Sequence, residues 1–127
     1  MSETLTIRKL VEAVRRFRDA REWRMYHKPK DLAMAIAIES AELLELFLWL
    51  NEEDIERLSG NPHFVGKVAE EIADILIFIL SLADIMGIDI AEWTIKKLKK
   101  NEEKYPPNKF RGPQFKKWLI NQLGQTE

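Results

Sequence analysis

The sequence predicts an all-α fold: a four-helix bundle with a short additional helix at the C-terminus, its core completed by oligomerisation. Three observations carry this. Apolar residues recur at helical spacing, with no two-residue alternation anywhere in the chain. Proline, glycine and asparagine stand where helices would begin and end. Two segments are apolar almost all round, which places them at the centre of a helix-on-helix architecture.

Helix one is predicted over residues 5–22, where Ile7, Leu10, Val11, Val14 and Phe17 share a face opposite arginines and lysines. The period is lost over residues 23–30, an aromatic loop that ends in Lys28-Pro29-Lys30, and proline there suits the start of a helix. Helix two, over 31–50, is interrupted in its apolar character only by Glu39, Ser40, Glu42 and Glu45. A connection follows, with a helical turn at 52–58 and the punctuation Ser59-Gly60-Asn61-Pro62. Asn61 as cap and Pro62 at the first turn open helix three, which runs to Met86 and stops at Gly87. Asp89 and Glu92 have capping-box spacing for helix four, which ends before Pro106-Pro107. A last amphipathic stretch surrounds Phe115, Trp118 and Leu119. Residues 1–112 form the expected domain, and 113–127 a tail with a short docking helix.

With 127 residues, 46% of them hydrophobic, one domain with a real core is expected. Twenty basic against 21 acidic residues leave a net charge of -1, which gives no diffuse basic field for nucleic acid or an anionic membrane. The absence of cysteine excludes disulfides, thiolate metal sites and a cysteine nucleophile. No secretory pattern opens the chain and no apolar run approaches the ~20 residues needed to cross a bilayer, so a cytoplasmic location is expected. Helix one and a lysine-rich helix four are too little to cover two such apolar helices, so a homo-oligomer, dimer or tetramer, is expected as well.

The chemistry lies in four carboxylates. Glu39 and Glu42 are three apart on helix two, and Glu71 and Asp74 three apart on helix three, so each pair shares one helix face with Cβ atoms about 5–6 Å apart. Their helices contain no lysine or arginine over 32–50 or 69–86, and unpaired carboxylates in apolar surroundings are costly, so a cation is called for. A di-iron bundle uses Glu-x-x-His, and His27 and His63 lie away from both pairs. All-oxygen ligation suits Mg²⁺, with Mn²⁺ as a substitute, and Mg²⁺ usually completes its shell with water and substrate phosphates. A phosphorylated substrate follows.

Glu39-Ser-Ala-Glu42 and Glu71-Ile-Ala-Asp74, separated by 28 residues, resemble the ExxE and ExxD signature of the MazG-like all-α nucleotide pyrophosphohydrolases. Arg21-Glu22-Trp23, His27-Lys28-Pro29, Glu45-Leu46-Phe47, Trp49, Lys97, Asn101, Lys104-Tyr105-Pro106 and Arg111-Gly112 look like that family's dCTP pyrophosphatase branch. The resemblance implies hydrolysis of a nucleoside triphosphate, dCTP or a modified relative favoured, to monophosphate and pyrophosphate, cleansing the nucleotide pool. It implies Mg²⁺ on Glu39, Glu42, Glu71 and Asp74, and places Trp23, His27 and Trp49 near the base. Lys97, Asn101 and Tyr105 are implied near the sugar or phosphates, with Lys104 and Arg111 as further phosphate candidates. Glu45, one turn beyond the first pair, has either a water-orienting or a structural role.

Two departures from the family pattern stand out. Ile38 precedes Glu39 where many members have a second glutamate, which opens the number of metals. Phe78 stands where a tyrosine is expected, so a hydroxyl contact to substrate is lost. Two other readings remain open at the level of sequence: a nucleotide sensor without turnover, and a helical adaptor whose acids only solubilise a groove.

Overall fold

The computed structural model describes residues 4–125, which form seven α-helices and one 3-10 turn, with no strand among the described residues. Helix α1 (Ile7–Ala20) begins at Thr6, whose hydroxyl accepts a hydrogen bond from the Lys9 amide at 3.1 Å. Beyond it Glu22 takes a left-handed conformation (φ 54°), which folds the 3-10 turn Trp23–Tyr26 back against α1. There the Trp23 ring meets Phe17 edge-on at 5.7 Å. The loop expected over 23–30 therefore has structure of its own.

Helix α2 (Pro29–Glu45) starts on its proline, as expected, but stops five residues short of the expected end. The chain tightens instead: the amides of Leu46, Phe47 and Leu50 each bond to the carbonyl three residues back. That change of pitch lets Phe47 pack edge-on against Phe64 at 5.7 Å, a contact apolar periodicity alone does not reveal. The turn at 52–58 is a true helix, α3 (Glu52–Leu58), opened by a reciprocal capping box between Asn51 and Asp54.

Helix α4 (Pro62–Ile85) organises the first part of the chain, because it packs against both α1 and α2. Asn61 caps it by accepting from the amides of His63 and Phe64. Gly87 (φ 67°) ends it in a left-handed turn, with the Ile88 and Gly87 amides returning to the carbonyls of Ala83 and Asp84. Leu32, Leu80 and Ala83 are the fully buried apolar residues of the described chain. Many others on α2 and α4 stay open, among them Met34, Ile38, Leu44, Val65, Ile72 and Ile77, at 41–60% exposure. The all-round apolar character of these helices is thus only partly used within one chain.

The chain divides into two compact units, the first ending at Ile90 and the second starting at Ala91. The second holds nearly all of α5 (Ile90–Lys104), α6 (Pro107–Phe110) and α7 (Pro113–Gly124). Its centre is aromatic: the Tyr105 ring lies edge-on to Phe110, Phe115 and Trp118 at 5.2–6.3 Å. The amphipathic stretch expected around Phe115 is the twelve-residue α7, anchored through these rings. No helix among the described residues is long and apolar enough to cross a membrane.

Arg18 is the most deeply buried charge, 1% exposed on the α1–α4 contact. Its Nη2 donates to Asp84 Oδ2 at 3.0 Å and its Nε to Asp19. Arg15 grips the other oxygen of Asp84 from the solvent side. Hydrogen bonds from Arg15, against an opposing burial effect, hold the Asp84 carboxyl below its usual range, with Arg18 adding to this. Asp84→Ala strands a buried guanidinium and should destabilise the fold by about 3 kcal/mol in denaturant titration. Arg15→Ala, removing a half-exposed partner, should destabilise the fold far less than Asp84→Ala in the same titration.

Candidate active site

The packing of α2 on α4 brings together carboxylates that sequence spacing had paired only within each helix. Oxygens of Glu39, Glu42 and Glu71 all lie within 4.8 Å of one another. Glu39 and Glu71 are half-buried and Glu42 is exposed, so the cluster opens to solvent on one side. Asp74 follows Glu71 by three residues on α4 and is exposed; it stands outside that tight group. Glu45, three residues after Glu42, is the last residue of α2 and also exposed.

The three acids have no counter-charge. Among the described residues no lysine or arginine forms an ion pair with Glu39, Glu42 or Glu71, whereas Asp84, farther along the same helix, has two arginines. One oxygen each of Glu39 and Glu71 (Oε2 in both) is buried without a hydrogen-bond partner. A buried acceptor left unpaired is costly, and two side by side more so. Burial, then the adjoining carboxyls of Glu42 and Glu71, push Glu39 up to about 7. Orphaned oxygens, all-oxygen donors and uncompensated negative charge make this a place a divalent cation fits.

The aromatic residues expected near a ligand divide. Trp23, His27 and Phe78 come together: the His27 ring centroid lies 6.3 Å from each of the other two. Phe78 is one turn beyond Asp74 on α4, so this group lies along the helix that carries Glu71. Trp49 is elsewhere in the turns after α2 and is 89% exposed. In the second unit Lys97 is exposed and Asn101 half-buried on α5. The Lys104 ammonium lies 5.3 Å from the Tyr105 ring, and Arg111 is exposed at the end of α6.

Sequence spacing did not single out Arg18, Ser81 and Asp84, which lie beneath His27. Ser81 Oγ is 3.4 Å from Arg18 Nη1 and 3.5 Å from His27 Nδ1. A signal was present: Arg18 continues the apolar series Val11, Val14 at helical spacing, where an arginine needs a buried partner. Asp84, in the last apolar turns of α4, is that partner. Burial, and secondarily the Arg18 charge, lower the His27 imidazole from its ordinary value, which keeps it neutral.

Comparison with known proteins agrees with the geometry. Residues 34–117 match the MazG-like family. The dCTP pyrophosphatase 1 of Bos taurus is 32% identical over 96 residues, covering 76% of this chain and 57% of that protein. The Homo sapiens dCTP pyrophosphatase 1 is 30% identical over 90 residues, covering 71% and 53%. The chain thus spans just over half the length of the curated relatives it matches. The crystal structure of a pyrophosphatase from Archaeoglobus fulgidus aligns with a TM-score of 0.72 at 44% identity, over 84% of this chain and 97% of that one. Both carboxylate pairs fall inside the matched segment, and the chain belongs to the MazG-like family, with its likeness running to the dCTP pyrophosphatase branch.

Proposed function

We propose that this protein is a divalent-metal-dependent nucleoside triphosphate pyrophosphohydrolase, converting dCTP or a modified dCTP-like nucleotide to the monophosphate and pyrophosphate. The observation that carries the reading is the cluster of Glu39, Glu42 and Glu71 with two buried, unpartnered oxygens, in a chain of this family. Its relatives, dCTP pyrophosphatases and a pyrophosphatase, point the same way.

Glu39, Glu42 and Glu71 would hold the ion, with Asp74 on the same stretch of α4 as a fourth ligand. Mg²⁺ or Mn²⁺ there would supply charge neutralisation for the triphosphate and polarisation of the attacking water. Glu45, one turn beyond Glu42 at the end of α2, would orient that water or take its proton. Trp23 and Phe78 offer apolar faces for a base, and His27 a polar edge between them. Trp49 is a further stacking candidate. Phe78 lacks a hydroxyl, so it contributes stacking and shape only. Within the second unit, Lys97 and Asn101, four apart on α5, would pair a cation with an amide suited to phosphate, and Lys104, Tyr105 and Arg111 would be further donors of that unit.

The exposed apolar residues of α2 and α4 support a homo-oligomer: a second copy of the chain would cover them. Sedimentation velocity at micromolar concentration should give a multiple of 14.9 kDa, and a stable monomer would defeat this part of the reading.

Incubation of dCTP and modified dNTPs with the protein and Mg²⁺ or Mn²⁺ should yield monophosphate plus pyrophosphate, and EDTA should stop it. Release of orthophosphate would refute the bond assignment. Glu42→Ala and Asp74→Ala should each lower kcat at least about a hundredfold while circular dichroism keeps its helical signature.

Glu39 also makes the metal-free fold sensitive to pH. Its carboxyl sits at about 7 in the folded chain against an ordinary 4.5, so the folded state holds more protons in that window and stability falls as pH rises through it. His27, lowered on folding, has the opposite slope below 6.5. The Glu39 part is therefore the difference between wild type and Glu39→Gln. Without metal, wild type should lose Tm between pH 5 and 8 relative to that variant, and added Mn²⁺ should restore it most at pH 8.

A further inference from the structure

We infer that Ser81, held by Arg18, is a positioning residue that fixes His27 as a hydrogen-bond donor at Nε2 and so selects bases presenting an acceptor edge. The inference rests on the proposed placement of a nucleobase beside Trp23, His27 and Phe78.

The direction of each proton follows from what the groups can do. A guanidinium only donates, so at the Arg18 Nη1 to Ser81 Oγ contact of 3.4 Å the serine oxygen is the acceptor. Its own O–H is then available to another acceptor. The other serines with hydrogen bonds inside or ending helices spend that proton on the carbonyl four residues back: Ser40 on Ile36 and Ser59 on Ile55, both at 2.7 Å. Ser81 makes no such bond. What lies within its reach is His27 Nδ1, at 3.5 Å.

Both contacts are longer than a well-formed hydrogen bond of about 2.7–3.2 Å, so they orient the groups by weak polar attraction. Electrostatics acts in the same direction, since a buried guanidinium favours a lone pair over an N–H facing it. Ser81 and Arg18 are each only 1% exposed, so water does not compete for these groups. With Nδ1 the acceptor, a neutral imidazole carries its proton on Nε2. Arg18 is in turn pinned by Asp84 and Asp19, so the chain of constraints ends in the buried ion pair between α1 and α4. The lowered affinity of His27 for a second proton is consistent with this neutral state.

The consequence is specificity. Along α4, Ser81 follows Glu71 by ten residues, a rise of about 15 Å, the span of a triphosphate chain and its sugar. A base seated there would meet a fixed Nε2–H. A ring nitrogen that accepts, as in cytosine, would satisfy it. One that carries its own hydrogen, as in uracil, would leave two donors facing each other.

The test is a long-range ¹H–¹⁵N spectrum of the full chain with labelled histidine, His63→Gln serving to assign the two imidazoles. Near neutral pH, His27 Nδ1 should show the shift of an unprotonated ring nitrogen and Nε2 that of a protonated one. A protonated Nδ1 in wild type would overturn the inference without any variant. Ser81→Ala should introduce a measurable Nδ1–H population and lower the dCTP-to-dUTP ratio of kcat/KM by about fivefold, the equivalent of one neutral hydrogen bond. A changed tautomer with an unchanged ratio in an active enzyme would sink the specificity role. If neither nucleotide is turned over with any metal, the pyrophosphohydrolase reading fails, and the wild-type spectrum still decides the role of Ser81.

Discussion

Three carboxylates whose oxygens lie within 4.8 Å of one another, two of them with a buried and unpartnered oxygen, impose a condition on the contact between α2 and α4. Lowering the negative charge there relieves the repulsion between them. A proton would do it, and burial together with the adjoining Glu42 and Glu71 carboxyls pushes Glu39 up to about 7. A divalent cation would do it with the carboxyls ionised. The fold therefore carries a built-in demand for positive charge at this position, and the proposed reaction makes use of it.

The middle of α4 and its C-terminal end show opposite solutions to the same problem. Near Ser81 and Asp84, an acid in an apolar helix is matched by arginines from α1, giving a closed network with its hydrogen-bonding capacity largely met. Near Glu71 no arginine or lysine pairs with the acid. The first arrangement stabilises and fixes; the second leaves a vacancy in charge that a ligand can fill. Between the two stands Phe78, with His27 against it, so α4 would carry in sequence a metal-binding stretch, an aromatic seat and a rigid polar support.

The exposed apolar stripes on α2 and α4 belong to the same economy of surface. Helices that carry acids inward on one side and remain apolar on the others cannot be covered by α1 alone. Residues such as Ile38 and Ile72 adjoin Glu39 and Glu71 in the chain, so a copy covering them would also shield the carboxylates from water. In that arrangement oligomerisation would strengthen the electrostatics of the site as well as bury apolar area.

Local chemistry determined much by itself. The helical period, the cap at Asn61 with Pro62, the stop at Gly87 and the three-residue spacing of each acid pair depend on neighbours within a turn or two, so they can be read along the chain. The family was legible from the same residues. Tertiary packing decided what local order could not: that oxygens of Glu39, Glu42 and Glu71 converge within 4.8 Å, and that α2 breaks at Glu45 so Phe47 can meet Phe64. It also decided that Asp84 is paired across helices, and that Ser81 Oγ stands against Arg18 and His27. The physical reason is that spacing within a helix is fixed by its pitch, whereas the partner across a helix contact depends on the register and rotation at which two surfaces meet.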